Sequence, residues 1–141
     1  MKTKRWPERA TLVAQLDSLF GLYVKLRDKR VIGKCPFHVD GVFKPIEQVF
    51  HFITRGKHSI RWDERNAVGS CAGCNIRYEH DQGFVDYVLN WYKTTRGLMA
   101  WEQLVRDGNK LANFSRSDLV ELRDELRLKL EGRHEHHAVP G

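Results

Sequence analysis

Two short pairs of potential metal ligands constrain the fold of this chain more than any other feature of its sequence. The first pair is Cys35-Pro-Phe-His38 and the second is Cys71-Ala-Gly-Cys74, with 32 residues between them. Zinc accepts four nitrogen or sulfur ligands in a tetrahedron, and proteins commonly supply them as two such pairs. The spacing therefore predicts one closed structural zinc site made of Cys35, His38, Cys71 and Cys74.

These pairs use all three cysteines of the chain. Three cysteines cannot all pair within one chain, so a metal site in a reducing compartment is a better interpretation than a disulfide framework. The alternative for the first pair is that Cys35 is only a buried apolar residue. His51 and His58 are alternatives to His38 as the fourth ligand, but the spacing from Cys35 favours His38. Bound zinc would contribute on the order of 10 kcal/mol to folding.

The length and charge of the chain limit its class. Its 141 residues suit one compact domain, and a net charge of +6 with a pI of about 9.4 is typical of proteins that bind polyanions. The basic excess lies mainly in residues 1–30, where a solvated tail is the alternative to phosphate contacts. The sequence has no apolar run long enough to span a bilayer and no apolar signal region, so we expect a soluble, cytoplasmic protein.

Apolar periodicity and turn residues predict the secondary structure around the metal pairs. The helix near the N-terminus has apolar residues at steps of three and four, and Gly21 is a point where it could be interrupted. In chain order the patterns predict a helix over 11–30, a turn-rich segment over 31–45, a strand over 49–53, a second strand or strand end over 60–62, a polar loop over 63–69, and helices over 82–92, 98–111 and from Ser117, as its N-cap, to 130.

Three further polar residues lie between and beside the metal pairs. They are found in His51-Phe-Ile-Thr-Arg-Gly, in Arg61-Trp-Asp-Glu-Arg-Asn66, and at Asn75, directly after the second pair. In this order they resemble the motif of HNH (His-Me finger) endonucleases of the phage NinG type and related phage proteins. The segments Leu19-Phe and Tyr23-Val-Lys-Leu-Arg-Asp also resemble that group, so the likeness covers roughly residues 19–95.

The resemblance implies a fold and a role for each of these residues. The fold would be α+β, a zinc-stabilised ββα-metal core with flanking N- and C-terminal helices. His51 would be the general base that takes a proton from the attacking water, a task for which histidine is suited near neutral pH. Asn66 would hold the loop between the strands and so orient His51. Asn75 would bind a catalytic Mg²⁺ or Mn²⁺ through its side-chain oxygen, and DNA would be cut to 5′ phosphate and 3′ hydroxyl ends.

The sequence departs from that family at two positions. Many HNH nucleases have a metal-binding aspartate directly before the base, where this chain has Phe50, and the relatives usually have cysteine in place of His38. The second ligand of the catalytic cation is therefore open, and His51 itself is one alternative. The other candidates, of which we favour His80, are Glu47, Asp63, His80 and Asp81.

The implied partner is DNA, including the branched intermediates of recombination, and the implied setting is the cytoplasm of a bacterial host of a phage or prophage. Basic residues near the proposed centre are candidates for phosphate contacts, with a solvated loop as the alternative: Arg55, Lys57, Arg61, Arg65 and Arg77. A noncatalytic zinc-stabilised DNA-binding module, supported by Phe50, is the alternative function. A third is a zinc scaffold whose helices from Leu98 onward mediate assembly, for example as a homodimer.

These expectations give one domain with four segments. They are an N-terminal basic segment and helix over 1–30, the zinc-bound nuclease core over 31–95, a C-terminal helical extension over 96–131 and a flexible tail over 132–141.

Overall fold

The computed structural model describes residues 6–38 and 41–138, with side chains described as far as residue 132. Within this part, the protein is α+β, with five α-helices and one antiparallel sheet of two strands. The elements are α1 (Arg9–Val31), β1 (Gln48–His51), β2 (Ala67–Ser70), α2 (Ala72–His80), α3 (Gln82–Thr95), α4 (Leu98–Gly108) and α5 (Arg116–Ala138), with 3₁₀ turns at His58–Ile60 and Glu64–Asn66 between the strands. The first residues of the basic N-terminal segment lie outside the described range.

The chain divides into two compact units, one formed by residues 1–23 and 113–141 and the other by residues 24–112. In the first unit, the predicted apolar stripe of α1 is confirmed, because Leu12, Leu16 and Phe20 are buried at helical spacing. The helix is continuous through Gly21.

In the same unit, α5 begins earlier than the sequence predicts. The Ser115 hydroxyl accepts a hydrogen bond from the Asp118 amide at 3.1 Å, and the Asp118 carboxylate accepts one from the Ser115 amide at 2.8 Å. This reciprocal pair caps the helix, so the prediction of Ser117 as the cap was wrong. The helix also runs on to Ala138, into residues for which the sequence suggests a flexible tail.

The second unit contains the sheet. The register pairs Gln48 with Ser70 and His51 with Ala67, and the predicted strand around Val49 is confirmed. The prediction of a second strand at 60–62 was wrong, because Ile60 ends a 3₁₀ turn and the partner strand is β2. All four residues of β2 are buried, and the sequence Ala-Val-Gly-Ser has neither the alternation nor the bulk by which a strand is recognised.

Aromatic side chains fill the core of this unit. Phe50 is fully buried, and its ring lies 5.1 Å from that of Phe37 and 5.5 Å from that of Phe52, measured between centroids. Because Phe50 and Phe52 both face the core, His51 between them faces the other side of the sheet. Within the described residues, no helix combines the length and the apolar character needed to cross a bilayer.

Candidate functional site

The four predicted metal ligands come together in the second unit. The ligand atoms of Cys35, His38, Cys71 and Cys74 all lie within 4.8 Å of one another. The Sγ atoms of Cys35 and Cys74 are 3.7 Å apart, those of Cys71 and Cys74 are 3.4 Å apart, and His38 Nε2 is 3.3 Å from both Cys71 and Cys74. A tetrahedral zinc site with ordinary bond lengths has ligand separations of about 3.5 to 3.8 Å. The cluster could therefore hold a structural metal such as zinc.

The local fold explains how these residues meet. Cys71 is the N-cap of α2 and Cys74 lies in its first turn, so the helix start presents both thiols on one side. Cys35 is held by a hydrogen bond from its amide to the carbonyl of Lys44 at 2.8 Å. All three cysteines are buried and His38 is half-buried. A site with four protein ligands is closed, which is the arrangement of structural rather than catalytic zinc.

The thiols of the cluster have different proton affinities. Burial raises the pKa of Cys35 and that of Cys74. Burial also opposes ionisation of Cys71, but hydrogen bonds from His38 and from the neighbouring cysteines outweigh it and lower the pKa of Cys71 to about 7. Since zinc binds thiolates, metal binding here would release protons from Cys35 and Cys74.

The predicted base is at the end of β1. His51 is half-buried, and its Nε2 lies 3.2 Å from the backbone oxygen of Arg61. A carbonyl oxygen can only accept, so this contact places a proton on Nε2 and leaves the basic lone pair of the neutral ring on Nδ1.

Asn66 is the fully buried residue before β2. Its Oδ1 accepts a hydrogen bond from the Ile53 amide at 2.8 Å, and its Nδ2 donates to the Ile53 carbonyl at 2.9 Å and to the Ile60 carbonyl at 3.5 Å. The carboxamide thus ties the residues after β1 to the residues before β2. It fixes the loop whose Arg61 carbonyl contacts His51.

Asn75 is on α2 and contacts β1. Its Nδ2 donates to Gln48 Oε1 at 2.7 Å and to the Val49 carbonyl at 3.3 Å. One turn further along α2, Tyr78 donates to the Phe52 carbonyl at 2.8 Å. These bonds hold the helix across the strand that ends in His51, and they use the amide nitrogen of Asn75, so its Oδ1 is the atom that a cation would take.

The structure does not bring His80 together with Asn75. The two residues are five positions apart on α2, which places them about 140° apart around the helix axis. His80 is exposed and lies 3.9 Å from Glu79. Of the other candidates for the second cation ligand, Asp63 caps a 3₁₀ turn and Asp81 caps α3, each with its carboxylate. Among the described residues, the cluster described above is the one group of three or more His, Cys, Asp or Glu side chains that could hold a metal ion.

The basic residues predicted to contact phosphate differ in whether they already form ion pairs within the protein. Arg65 Nη2 lies 2.6 Å from Asp63 and 2.9 Å from Asp107, and these hydrogen bonds raise the pKa of Arg65. Arg77 pairs with Asp81 at 3.0 Å. The remaining three lie in the loop between the strands, where Arg55 and Lys57 are exposed and Arg61 is half-buried.

Sequence reasoning missed a group of charged residues beneath β2. The carboxylate of Asp28 pairs with Arg27 and accepts a hydrogen bond from the Gly69 amide at 2.7 Å. Arg27 and Arg96 both donate to the Ala67 carbonyl, at 2.9 and 3.1 Å. These contacts fix the strand that follows Asn66. The signal available in the sequence was the position of Asp28, which falls four residues after Val24 and so on the apolar face of α1.

Comparison with known proteins gives this chain no family: no protein-family model matches it, and neither the curated proteins nor the solved structures contain a significant match. Its function is therefore argued from the geometry of its own residues.

Proposed function

We propose that this protein is an HNH-type endonuclease that hydrolyses DNA phosphodiester bonds, with a zinc-stabilised ββα core and His51 as its general base. The observation that carries the proposal is the position of His51, whose Nε2 contacts the Arg61 carbonyl in a loop locked by Asn66. The order of β1, β2 and α2, with one candidate residue on or beside each, also supports it.

The contact with Arg61 suits His51 to its proposed task. With its proton on Nε2, the neutral ring can accept a proton at Nδ1 from a water molecule. The Arg61 carbonyl then stabilises the imidazolium that forms, because Nε2 continues to donate to it. Asn66 acts as a positioning residue, since it holds the backbone that bears this carbonyl.

In this arrangement we identify one protein ligand for a catalytic cation, which is the Oδ1 atom of Asn75. Mg²⁺ often keeps several waters and is held by one or two carboxylates together with substrate phosphates. Because Asn75 offers a neutral oxygen in place of a carboxylate, the phosphate of the DNA would supply the negative charge around the cation. When bound, such a cation would withdraw charge from the scissile phosphate and the leaving oxygen. Asn75 itself is placed by its bonds to Gln48 and Val49.

Zinc would serve this site indirectly. Cys71 and Cys74 form the start of α2, and Asn75 is the next residue. A metal that fixes these thiols would fix the helix start, and with it the distance of Asn75 from β1. We therefore assign the Cys35, His38, Cys71 and Cys74 cluster a structural role in the proposed enzyme.

Phe50 favours the alternative of a noncatalytic DNA-binding module. The side chain before the proposed base is fully buried in the aromatic core and cannot bind a cation. Binding without cleavage is the result that this alternative predicts, and it distinguishes the two functions.

A plasmid-nicking assay with the zinc-loaded protein tests the proposal. With Mg²⁺ or Mn²⁺, the wild-type protein should convert supercoiled DNA to open circles, and His51→Ala should lower the rate by a factor of about 100 to 10,000, as expected for loss of a general base. His58→Ala is the matched control, because His58 is an exposed histidine in the same loop. Equal rates for His51→Ala and wild type would refute the role of His51.

Failure of the wild-type protein to cut single-stranded, duplex and branched DNA would refute the enzyme. Gel-shift measurements on the same DNA forms would then separate the remaining interpretations. Retained binding would identify the noncatalytic module, and a loss of both activities would leave the scaffold with assembly helices.

A further inference from the structure

A second feature of residues 24–112 is a cavity of about 760 Å³. It lies between the end of α1, the segment around the first metal pair, and the end of α3. The polar residues in its wall that matter here are Arg27, Asp28, Lys34 and Arg96. Its size is within the range of about 300 to 1,000 Å³ that is typical of sites for small molecules.

Arg96 in this wall forms no direct ion pair among the described residues, although the charge of Asp28 acts on it. Its guanidinium lies 5.4 Å from the ring centre of Phe52, 5.7 Å from that of Trp91 and 5.2 Å from that of Tyr92. It donates hydrogen bonds to the backbone carbonyls of Arg65 and Ala67 and also interacts with the hydroxyl of Tyr92. Burial and the nearby charge of Arg27 lower the pKa of Arg96, as expected for a cation whose charge is poorly balanced.

The charges of the wall do not cancel. Arg27, Lys34 and Arg96 are cationic, and Asp28 is the one carboxylate among the described wall residues. Asp28 already pairs with Arg27 through both oxygens and binds the Gly69 amide. Two positive charges, at Lys34 and Arg96, therefore face the cavity in excess. An anion bound there would relieve this imbalance in surroundings that screen it less than water does.

Most of the rest of the wall is apolar and is formed by Val31, Ile32, Pro36 and Trp91, while the polar side chains of His38 and Thr95 also belong to it. An inorganic anion would leave these surfaces exposed, whereas a ligand that combines an anion with a flat apolar part would cover them.

The cavity is separate from the proposed hydrolytic centre. Arg96 lies over Phe52, which faces the core together with Phe50, and His51 faces the opposite side of the sheet.

We propose that this cavity binds a nucleotide, with its phosphate near Arg96 and Lys34 and its base against the apolar wall around Trp91. The same chemistry is offered by a free nucleoside monophosphate and by the phosphorylated end of a DNA strand. The site goes beyond the proposed nuclease and does not depend on it, because none of its residues takes part in hydrolysis.

Calorimetric titration of the zinc-loaded protein with deoxyadenosine monophosphate, without added Mg²⁺, tests the proposal. We expect saturable binding of one molecule per chain, with inorganic phosphate and deoxyadenosine each at least about tenfold weaker, because each supplies half of the contacts. An oligonucleotide with a 5′ phosphate distinguishes the two sources. Tighter binding than the mononucleotide identifies a strand end, and weaker binding identifies a free nucleotide.

Single substitutions in and beside the cavity test where the mononucleotide binds. Lys34→Glu should weaken binding of deoxyadenosine monophosphate at least about tenfold, whereas Lys29→Glu, the same charge change at an exposed residue of α1 outside the wall, should leave it within about twofold. Arg96→Gln should abolish it, with zinc content and circular dichroism as checks on folding. If that variant does not fold, the lysine pair remains decisive. Binding should persist in His51→Ala, which separates this site from the nuclease.

Three results would overturn the proposal. They are absence of saturable binding at millimolar mononucleotide, equal affinity for inorganic phosphate and the mononucleotide, and equal weakening by Lys34→Glu and Lys29→Glu.

Discussion

The side chain of Asn66 forms a closed pair of hydrogen bonds with the backbone of Ile53. Its Oδ1 accepts from the Ile53 amide at 2.8 Å and its Nδ2 donates to the Ile53 carbonyl at 2.9 Å. Asn66 is fully buried, so water cannot replace these bonds in the folded protein. One side chain thus connects the end of β1 to the start of β2 and holds the loop that contacts His51.

Asn66→Ala should lower the free energy of unfolding by about 2 to 4 kcal/mol, because it leaves buried backbone groups without partners. The proposed DNA cleavage should fall with it, since the loop that contacts His51 is released. Urea unfolding and the nicking assay measure the two effects.

Asn75→Ala is the matched control. Because Asn75 is half-buried, its substitution should reduce DNA cleavage while lowering the free energy of unfolding by less than about 1 kcal/mol. Equal destabilisation by the two variants would contradict the anchoring role of Asn66.

The sequence predicts features whose signal is local. The two metal pairs each lie within four residues, and the strand that ends in His51 has the β-branched and aromatic residues typical of strands, so both could be identified before the structure. The bonds of Asn66 join the two sides of the loop, whereas its expected effect on the orientation of His51 stays a prediction.

Features that depend on distant contacts could not be predicted. The strand β2 is held by Arg27 and Arg96, which reach the Ala67 carbonyl from 40 and 29 residues away. Without such contacts in view, Ala-Val-Gly-Ser resembles a loop. His80 shows that residues close in sequence need not meet in space. It lies five residues after Asn75, and the rotation of the helix turns the two side chains to different faces.

Removal of zinc should unfold the second unit. Structural zinc in small domains contributes about 10 kcal/mol or more, which is comparable to the whole stability of a domain. A strong chelator should therefore lower the melting temperature of the wild-type protein sharply, and metal analysis of untreated protein should give one zinc per chain. Cys74→Ser should melt at the same low temperature with and without chelator. A metal-free wild-type protein that keeps its melting temperature would contradict a structural role for the cluster.

Tyr78→Phe should change the alkaline pH dependence of stability. Burial raises the pKa of Tyr78 from 10.0 to about 12 in the folded protein. The folded state therefore keeps a proton that the unfolded state loses, so this contribution is complete below pH 10 and is lost as pH rises toward 12. Wild type should lose more stability than Tyr78→Phe over that interval, measured by urea unfolding at a series of pH values.

Near pH 7, Tyr78→Phe should lower the free energy of unfolding by about 1 kcal/mol, because it loses the hydrogen bond to the Phe52 carbonyl. Parallel pH profiles would contradict this assignment.

The proposed binding of DNA predicts different salt effects for substitutions at Lys57 and at Arg65. Lys57 is exposed and its Nζ lies 3.4 Å from the neutral Asn109 side chain, whereas Arg65 is paired with Asp63 and Asp107. Lys57→Ala should reduce the slope of log affinity against log salt by about 1, the effect of one phosphate contact. Arg65→Ala should leave the slope unchanged and lower thermal stability instead. A reduced slope for Arg65→Ala would show that its ion pairs open to DNA.

Two glycines beside the proposed site should respond oppositely to alanine. A Cβ added at Gly69 would lie 2.6 Å from Cγ2 of the buried Ile46 and 3.4 Å from Cβ of Asp28, whereas one added at Gly73 would meet nothing within 4 Å. Gly69→Ala should therefore cost about 1 to 3 kcal/mol, because Ile46 is branched at Cβ and closely packed.

Gly73→Ala should instead stabilise the protein by about 0.5 to 1 kcal/mol, since alanine favours the helix and reduces the freedom of the unfolded chain. Urea unfolding of both variants gives the comparison, and zinc content confirms that Cys71 and Cys74 still bind metal around position 73. The Gly69 amide donates a hydrogen bond to Asp28. Gly69→Ala should therefore also displace β2 and Asn66, so DNA cleavage should fall in Gly69→Ala and not in Gly73→Ala. A tolerated alanine at Gly69 would mean that β2 can move away from Asp28 without loss, and the charged group beneath it would then not position the site.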